Sequence, residues 1–235
     1  MVTRVLLLWC LLLAGCTSVE VRHAEGMTAK SKVAQGKKVL LLEPQVTLTE
    51  LLASGLEEPR PDWSENAKAH IVSSLQDVLS QSSASLVRYQ EPEDLALKDR
   101  FRQLLLLQET VGQAAMFHGI YVKLANKHNR FDWSVGPGVR DLRAHFDADF
   151  ALFTYVHDSY ATAGRKALKA VGLLAAVVGV GVDVQTGSRV GYSTLIDLND
   201  GKVVWSGYMV SQVGDLRELE DARKVTRDMF KGAPF

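Results

Sequence analysis

The apolar run Val5–Leu13, preceded by the single positive charge of Arg4, divides this chain into a leader and a part that folds. The run lies within the ~7–15 residues of a secretory signal core and falls short of the roughly 20 apolar residues a spanning helix needs. A leader of this kind exports the chain and is then removed. Whatever folds therefore does so on the far side of a membrane, from about residue 16 onward.

The leader ends in Leu13-Ala14-Gly15-Cys16, which resembles the lipobox of bacterial lipoproteins. The resemblance implies that the Cys16 thiol receives a diacylglyceryl group, that the bond before it is cut, and that the new amine is acylated. Such chains anchor stably once more than one is present, since each buried methylene contributes about 0.8 kcal/mol. Thr17 stands where an inner-membrane retention signal places Asp, so the resemblance points to the outer membrane, with the protein facing the periplasm.

Removing residues 1–15 takes away Arg4 and Cys10 and leaves 26 basic against 27 acidic side chains, with Cys16 as the one cysteine. A lipidated Cys16 leaves no thiol for disulfides, zinc or nucleophilic catalysis. A charge this close to zero provides no long-range field for nucleic acid, and no nucleic-acid partner is expected. The segment 16–36 is polar and rich in small residues and reads as a lipidated tether. About 220 residues remain after processing, and the globular part, 37–235, reads as one periplasmic domain.

Within that domain the patterns alternate between strand and helix. Val39–Leu42 is a short run, apolar on both faces, of the kind buried in parallel sheets. Pro59 and Pro61 mark a loop, and Ser64 is placed to cap a helix carrying Ala67, Ile71, Leu75, Val78 and Leu79. Leu86–Tyr89 reads as a strand. A long helical pattern runs from Pro92 to about Asn126, with Gly112 and Gly119 as possible breaks. Val139–Phe146 reads as a short helix and Phe150–Val156 as a central strand.

The alternation Val190, Tyr192, Thr194, Ile196, Leu198, the turn Asn199-Asp200-Gly201 and the return through Trp205 to Val210 predict a β-hairpin. Leu216, Leu219, Ala222, Val225 and Met229 predict a terminal amphipathic helix. The fold class expected is α/β (α+β): a single domain with a mixed β-sheet, packed helices and a C-terminal hairpin plus helix.

Three phrases carry a further resemblance: Ala148-Asp149-Phe150-Ala151-Leu152-Phe153; Asp158-Ser159-Tyr160 with Gly164-Arg165; and Leu195-Ile196-Asp197-Leu198 with Val203-Val204-Trp205. Together they resemble a family of proteobacterial outer-membrane lipoproteins of unassigned activity. More distantly they resemble the curli-secretion lipoprotein and the TolB amino-terminal domain. The likeness spans roughly residues 37–230 and implies a mixed sheet with packed helices, while its motifs are packing and turn residues that transfer no catalytic role. Curli-type proteins contribute transmembrane hairpins to a pore, and a pore strand needs about 9–11 alternating residues. The one candidate insertion, Ala170–Val182, is thirteen consecutive apolar residues without alternation. It reads first as a buried helix or core segment. Its alternative is a membrane-touching or oligomer-forming segment, which the flanking Arg165, Lys166 and Lys169 would suit.

Catalytic signatures are absent from the sequence. Gly187-Ser188-Arg189 lacks a phosphate-loop lysine, Gly179-x-Gly181 lacks the third glycine of a dinucleotide fingerprint, and Ser193 lacks the second glycine of a nucleophile elbow. No cofactor is expected. His145, Asp147 and Asp149 are spaced by two, so a continuous strand would align them as metal ligands; a helix followed by a turn would scatter them. Asp158, Tyr160 and Arg165 follow the central strand, where α/β folds place ligands, and form the candidate binding set. Its bland alternative is a helix cap plus a surface ion pair.

The functional expectation is a non-enzymatic accessory or scaffold protein of envelope assembly or secretion. Its partners would be the bilayer, through Cys16, and an envelope protein, with self-association into a homo-oligomer as a further option. The rival expectation is a periplasmic enzyme or small-ligand binder. An oligomeric secretion pore ranks below both, because the alternation a barrel requires is missing.

Overall fold

A computed structural model describes residues 17–28, 30–177 and 184–235. The expected α/β architecture is present: one mixed sheet of eight strands, not closed into a barrel, with five α-helices among the described residues. The order across the sheet is β1 (Thr17–His23), β8 (Val203–Ser211), β7 (Arg189–Asp197), β6 (Phe150–Ala161), β2 (Lys38–Leu41) and β5 (Ser85–Arg88). Val39–Leu42 lies buried, as its two-sided apolar pattern predicts, and β2 pairs parallel with both neighbours. Just past β2, Pro44 interrupts the pairing, because proline cannot donate to a ladder. The chain resumes as β3 (Gln45–Leu51), which pairs parallel with the second half of β6 and antiparallel with β4 (Glu57–Pro59).

Helices cover both faces. On one side lie α1 (Pro61–Ser80) and the terminal helix α5 (Leu219–Met229), closing a core that includes Leu48, Leu75, Val156, Trp205 and Met229. On the other lie α2 (Leu95–Ile120) and α3 (Arg140–Phe146), over Phe101, Phe153, Tyr192, Ile196 and Tyr208. The predicted helical spacing is borne out at Ala67, Ile71, Leu75 and Leu79, and at Ala222, Val225 and Met229, all of which are buried. The expected hairpin β7–β8 forms, with Tyr192 opposite Tyr208, Leu195 opposite Trp205 and a register shift between Leu195 and Ile196.

Four local expectations are corrected. Thr17–His23, read as tether, is a strand paired with β8 along its whole length, from Thr17 opposite Ser211 to His23 opposite Trp205. Val19 and Val21 alternate with Ser18, Glu20 and Arg22, and their apolar side packs on the core. Ser64 does not cap α1. That helix starts at Pro61, which lacks the N–H a first turn leaves unpaired anyway. The Ser64 hydroxyl accepts from the Leu48 amide at 2.9 Å and donates to the Arg60 carbonyl, tying the helix to β3.

Gly112 and Gly119 do not break α2. At Gly112 the Tyr192 ring occupies the space a Cβ would fill, and at Gly119 the Tyr208 ring packs against the helix at ordinary contact distance. Finally, Ala170–Ala175, the part of the stretch Ala170–Val182 whose burial is described, does not bury its large side chains in the core. The stretch falls partly on α4 (Ala163–Val177), whose Val171, Leu173 and Leu174 are exposed. Residues 178–183, including Gly179 and Gly181, lie outside the described residues, as does Cys16.

Candidate functional site

Strand β6 supplies polar side chains alternately to the two faces of the sheet near its carboxyl end. Asp158 and Tyr160 face the α1/α5 side. The antiparallel register places Arg189 of β7 directly opposite Asp158, and both are nearly sealed from solvent, at 4% and 2% exposed. Arg189 donates through Nε (2.8 Å) and Nη2 (2.5 Å) to Asp158 Oδ2, which also accepts from the Tyr160 hydroxyl at 2.7 Å. The guanidinium donates onward to the carbonyls of Val213 and Gly214, and Tyr160 Oη accepts from the Leu216 amide at 2.8 Å.

This network therefore staples the 213–216 loop, which leads into α5, onto the centre of the sheet. Burial pushes the Asp158 carboxyl up while the adjacent Arg189 charge and the hydrogen bonds from Tyr160 and Arg189 pull it down, and burial is the larger influence. Burial and the neighbouring Asp158 also push the Tyr160 phenol above its ordinary value. Arg217 stacks over Tyr160 at 4.2 Å and over Trp63 at 4.6 Å, while Arg60 lies 4.0 Å from the Trp63 ring. Arg217 in turn holds Asp215 below the usual carboxylate range through a direct hydrogen bond.

Of the candidate binding set, the fold brings Asp158 and Tyr160 together and sends Arg165 elsewhere. Arg165 Nε donates to the Gln185 carbonyl at 2.9 Å, and its Nη1 reaches the Ala53 carbonyl. The cation that meets Asp158 is Arg189, 31 residues away in the chain.

On the opposite face, His157 Nε2 lies 2.9 Å from Glu57 Oε2, which also accepts from Thr49 Oγ1 at 2.7 Å. Burial raises the Glu57 carboxyl, but the hydrogen bonds from Thr49, His157 and Ser159 and the charge of His157 outweigh it, and the net shift is downward. Beside this pair, an open groove of about 570 Å³ runs between α2 and β6, lined by Thr110, Gln113, Phe117, Tyr155 and His157 among others. Glu57 and His157 lie a hundred residues apart and were not legible as a pair, because they meet only through the pairing of β4 with β3 and of β3 with β6.

The possible metal set is dispersed. His145 sits on α3, its ring edge-on to Phe146 at 4.7 Å and to Phe101 at 5.4 Å. Asp147 adopts a left-handed backbone (φ 49°) that terminates the helix, and pairs with the Lys38 ammonium. Asp149 accepts from the Lys38 amide at 3.1 Å. A helix followed by a turn thus replaces the continuous strand that alignment required, and no group of three His, Cys, Asp or Glu side chains fit to hold a metal occurs among the described residues.

No protein-family model matches the chain, and no curated protein sequence matches it. Among solved structures the chain is similar to the PelC dodecamer from Paraburkholderia phytofirmans, at 13% identity, over 92% of this chain and 96% of that one, with a TM-score of 0.42. It is also similar to lipoprotein GNA1162 from Neisseria meningitidis, at 15% identity over 75% of this chain and 81% of that one, TM-score 0.30. A third similarity is to the LpoB C-terminal domain from Salmonella enterica, at 13% identity over 81% of this chain and 88% of that one, TM-score 0.28.

Proposed function

We propose that this chain is a lipid-anchored envelope protein, held by acylated Cys16 on the periplasmic side of the outer membrane after removal of residues 1–15. In this reading it serves as a non-enzymatic accessory or scaffold in envelope assembly or secretion, presenting its α/β domain to a protein partner. The observation that carries the proposal is the junction of motif and fold: Leu13-Ala14-Gly15-Cys16 is followed at once by Thr17, the first residue of an edge strand. A chain bonded to acylated Cys16 has no slack between lipid and sheet, since successive Cα atoms are only about 3.8 Å apart. The domain then works at the bilayer surface.

Mass spectrometry of the mature amino terminus from the native host tests the anchor. The expected product starts at Cys16 and carries acyl chains, and Cys16→Ser moves the protein from the membrane to the soluble fraction. An unmodified terminus, or a Cys16→Ser product that still sediments with membranes, overturns the reading. Crosslinking in intact cells tests the scaffold role, with one partner recovered in stoichiometric yield as the expected result.

A second reading, a small-ligand binder, draws on the Glu57–His157 pair at the edge of the 570 Å³ groove, a volume within the range of small-molecule sites. Ligand-induced chemical-shift changes confined to His157, Tyr155 and Phe117 would favour it.

A further inference from the structure

Helix α4 is built inside out. Its protein-facing stripe consists of Arg165, Lys169 and Gly172, spaced by four and three residues. Arg165 and Lys169 are tied down there by hydrogen bonds to the Gln185 carbonyl and to Thr186 Oγ1. The outward face carries Leu168, Val171, Leu173 and Leu174, at 45%, 61%, 63% and 72% exposed. A surface helix of a water-soluble domain has the reverse arrangement, with its apolar stripe turned to the core.

The topology places this face beside the lipid attachment. Thr17 pairs with Ser211, Ser211 with Arg189, and Arg189 with Asp158, so one row crosses the sheet from the start of β1 to the end of β6. Three strand spacings separate the two, about 14 Å at ~4.8 Å each. Strand β6 ends at Ala161, and α4 leaves from that same end of the sheet at Ala163. Exposed Leu56, in the β3–β4 loop whose Ala53 carbonyl meets Arg165, and exposed Val213, just past the end of β8, gather at this end too.

We propose that the outward face of α4 is a second membrane contact. It lies in the interfacial layer of the bilayer that holds the Cys16 acyl chains, with Leu168, Val171 and Leu174 among the acyl chains and Lys166 at the level of anionic headgroups. This rests on the lipid-anchor reading. A helix of 15 residues is ~22 Å long, and no helix among the described residues is long and apolar enough to cross a membrane. Lying in the interface is the arrangement left to an apolar, lysine-flanked helix. Anchored at Cys16 and resting on α4, the domain is held in one orientation, with the Asn199-Asp200-Gly201 turn at the far end of the sheet.

The test uses the lipidated full-length protein, whose acylated Cys16 leaves no thiol to compete with an introduced one. Leu174→Cys, Val171→Cys and, as the distal control, Asn199→Cys are each labelled with bimane and reconstituted into phosphatidylethanolamine–phosphatidylglycerol vesicles. Doxyl-labelled lipid is expected to quench the labels at 171 and 174 several-fold more than the label at 199, and aqueous iodide to show the opposite order. Because these three side chains point outward, a circular-dichroism melt matching the unsubstituted protein shows that each variant is folded.

Iodide quenching at 171 and 174 equal to that at 199, with Cys16 acylated, overturns the α4 contact and leaves the anchor standing. Protection of 171 and 174 from both quenchers also overturns it and assigns the face to a second copy or another protein. An unacylated Cys16 overturns the anchor reading, and this inference with it.

Discussion

Replacing Asp158 with alanine removes the acceptor of two Arg189 donors and of the Tyr160 hydroxyl. It leaves a guanidinium 2% exposed, facing the carbonyls of Val213 and Gly214 and the Tyr160 hydroxyl but no counter-charge in hydrogen-bond contact. Arginine cannot shed its charge to escape, so the full desolvation cost of an unpaired cation falls on the folded state. Breaking a buried pair from one side costs about 3–5 kcal/mol. With a urea m-value of ~2–3 kcal/mol/M for a chain this size, the unfolding midpoint of the unlipidated mature protein should fall by about 1–2.5 M.

The Asp158→Ala, Arg189→Met double variant removes both charges and fills the space with an apolar chain. It should recover at least half of that loss, since a packed apolar replacement of a buried pair is often neutral. Urea titrations followed by circular dichroism measure Asp158→Ala, Arg189→Met and the double variant against the parent. A midpoint shift below about 0.3 M for Asp158→Ala, or a double variant whose loss is the sum of the two single losses, would refute the account of this pair as the staple of the 213–216 loop.

Gly112→Ala should lower stability by about 1–3 kcal/mol through overpacking, because the new Cβ falls 2.7 Å from Tyr192 Cζ; at an open helical position the same change would stabilise by up to ~1 kcal/mol, and thermal melts distinguish the signs. The carboxyl of Glu57 is lowered in the fold, so its contribution is present above the ordinary carboxylate value of about 4.3 and is lost as pH falls through the lower folded value. Glu57→Gln should therefore flatten the acid limb of the stability curve and leave the alkaline limb unchanged, as measured by urea midpoints across pH. Removing residues 17–23 from the soluble protein should expose the β8 edge and produce aggregation, detected by light scattering, whereas loss of a mere tether would change nothing.

Much of the fold was legible because it is written locally. The buried run at Val39–Leu42, the alternation around Asn199-Asp200-Gly201, and the helical spacing of Ala67 through Leu79 each state their element within a dozen residues. The alternation Val19, Val21 is also present in the sequence, but it is a single pair inside a polar stretch, too short to outweigh composition. Asp158 and Tyr160 were singled out as following a strand read as ending at Val156, whereas β6 runs on to Ala161 and both lie within it. Arg189 was not, because its partnership arises from the antiparallel register of β6 and β7 and no spacing in the chain expresses it.

The amino-acid sequence by itself carried the Leu13-Ala14-Gly15-Cys16 motif, the strand at Val39–Leu42, the C-terminal hairpin and the helical spacing of α1 and α5, all of which depend on neighbours along the chain. Only the tertiary structure decided that β1 completes the sheet, that Arg189 is the cation sealed against Asp158, and that α4 turns its leucines outward. The physical reason is that burial and pairing are set by which surfaces meet across the sheet. A run of apolar residues reads the same whether it faces a core or a bilayer.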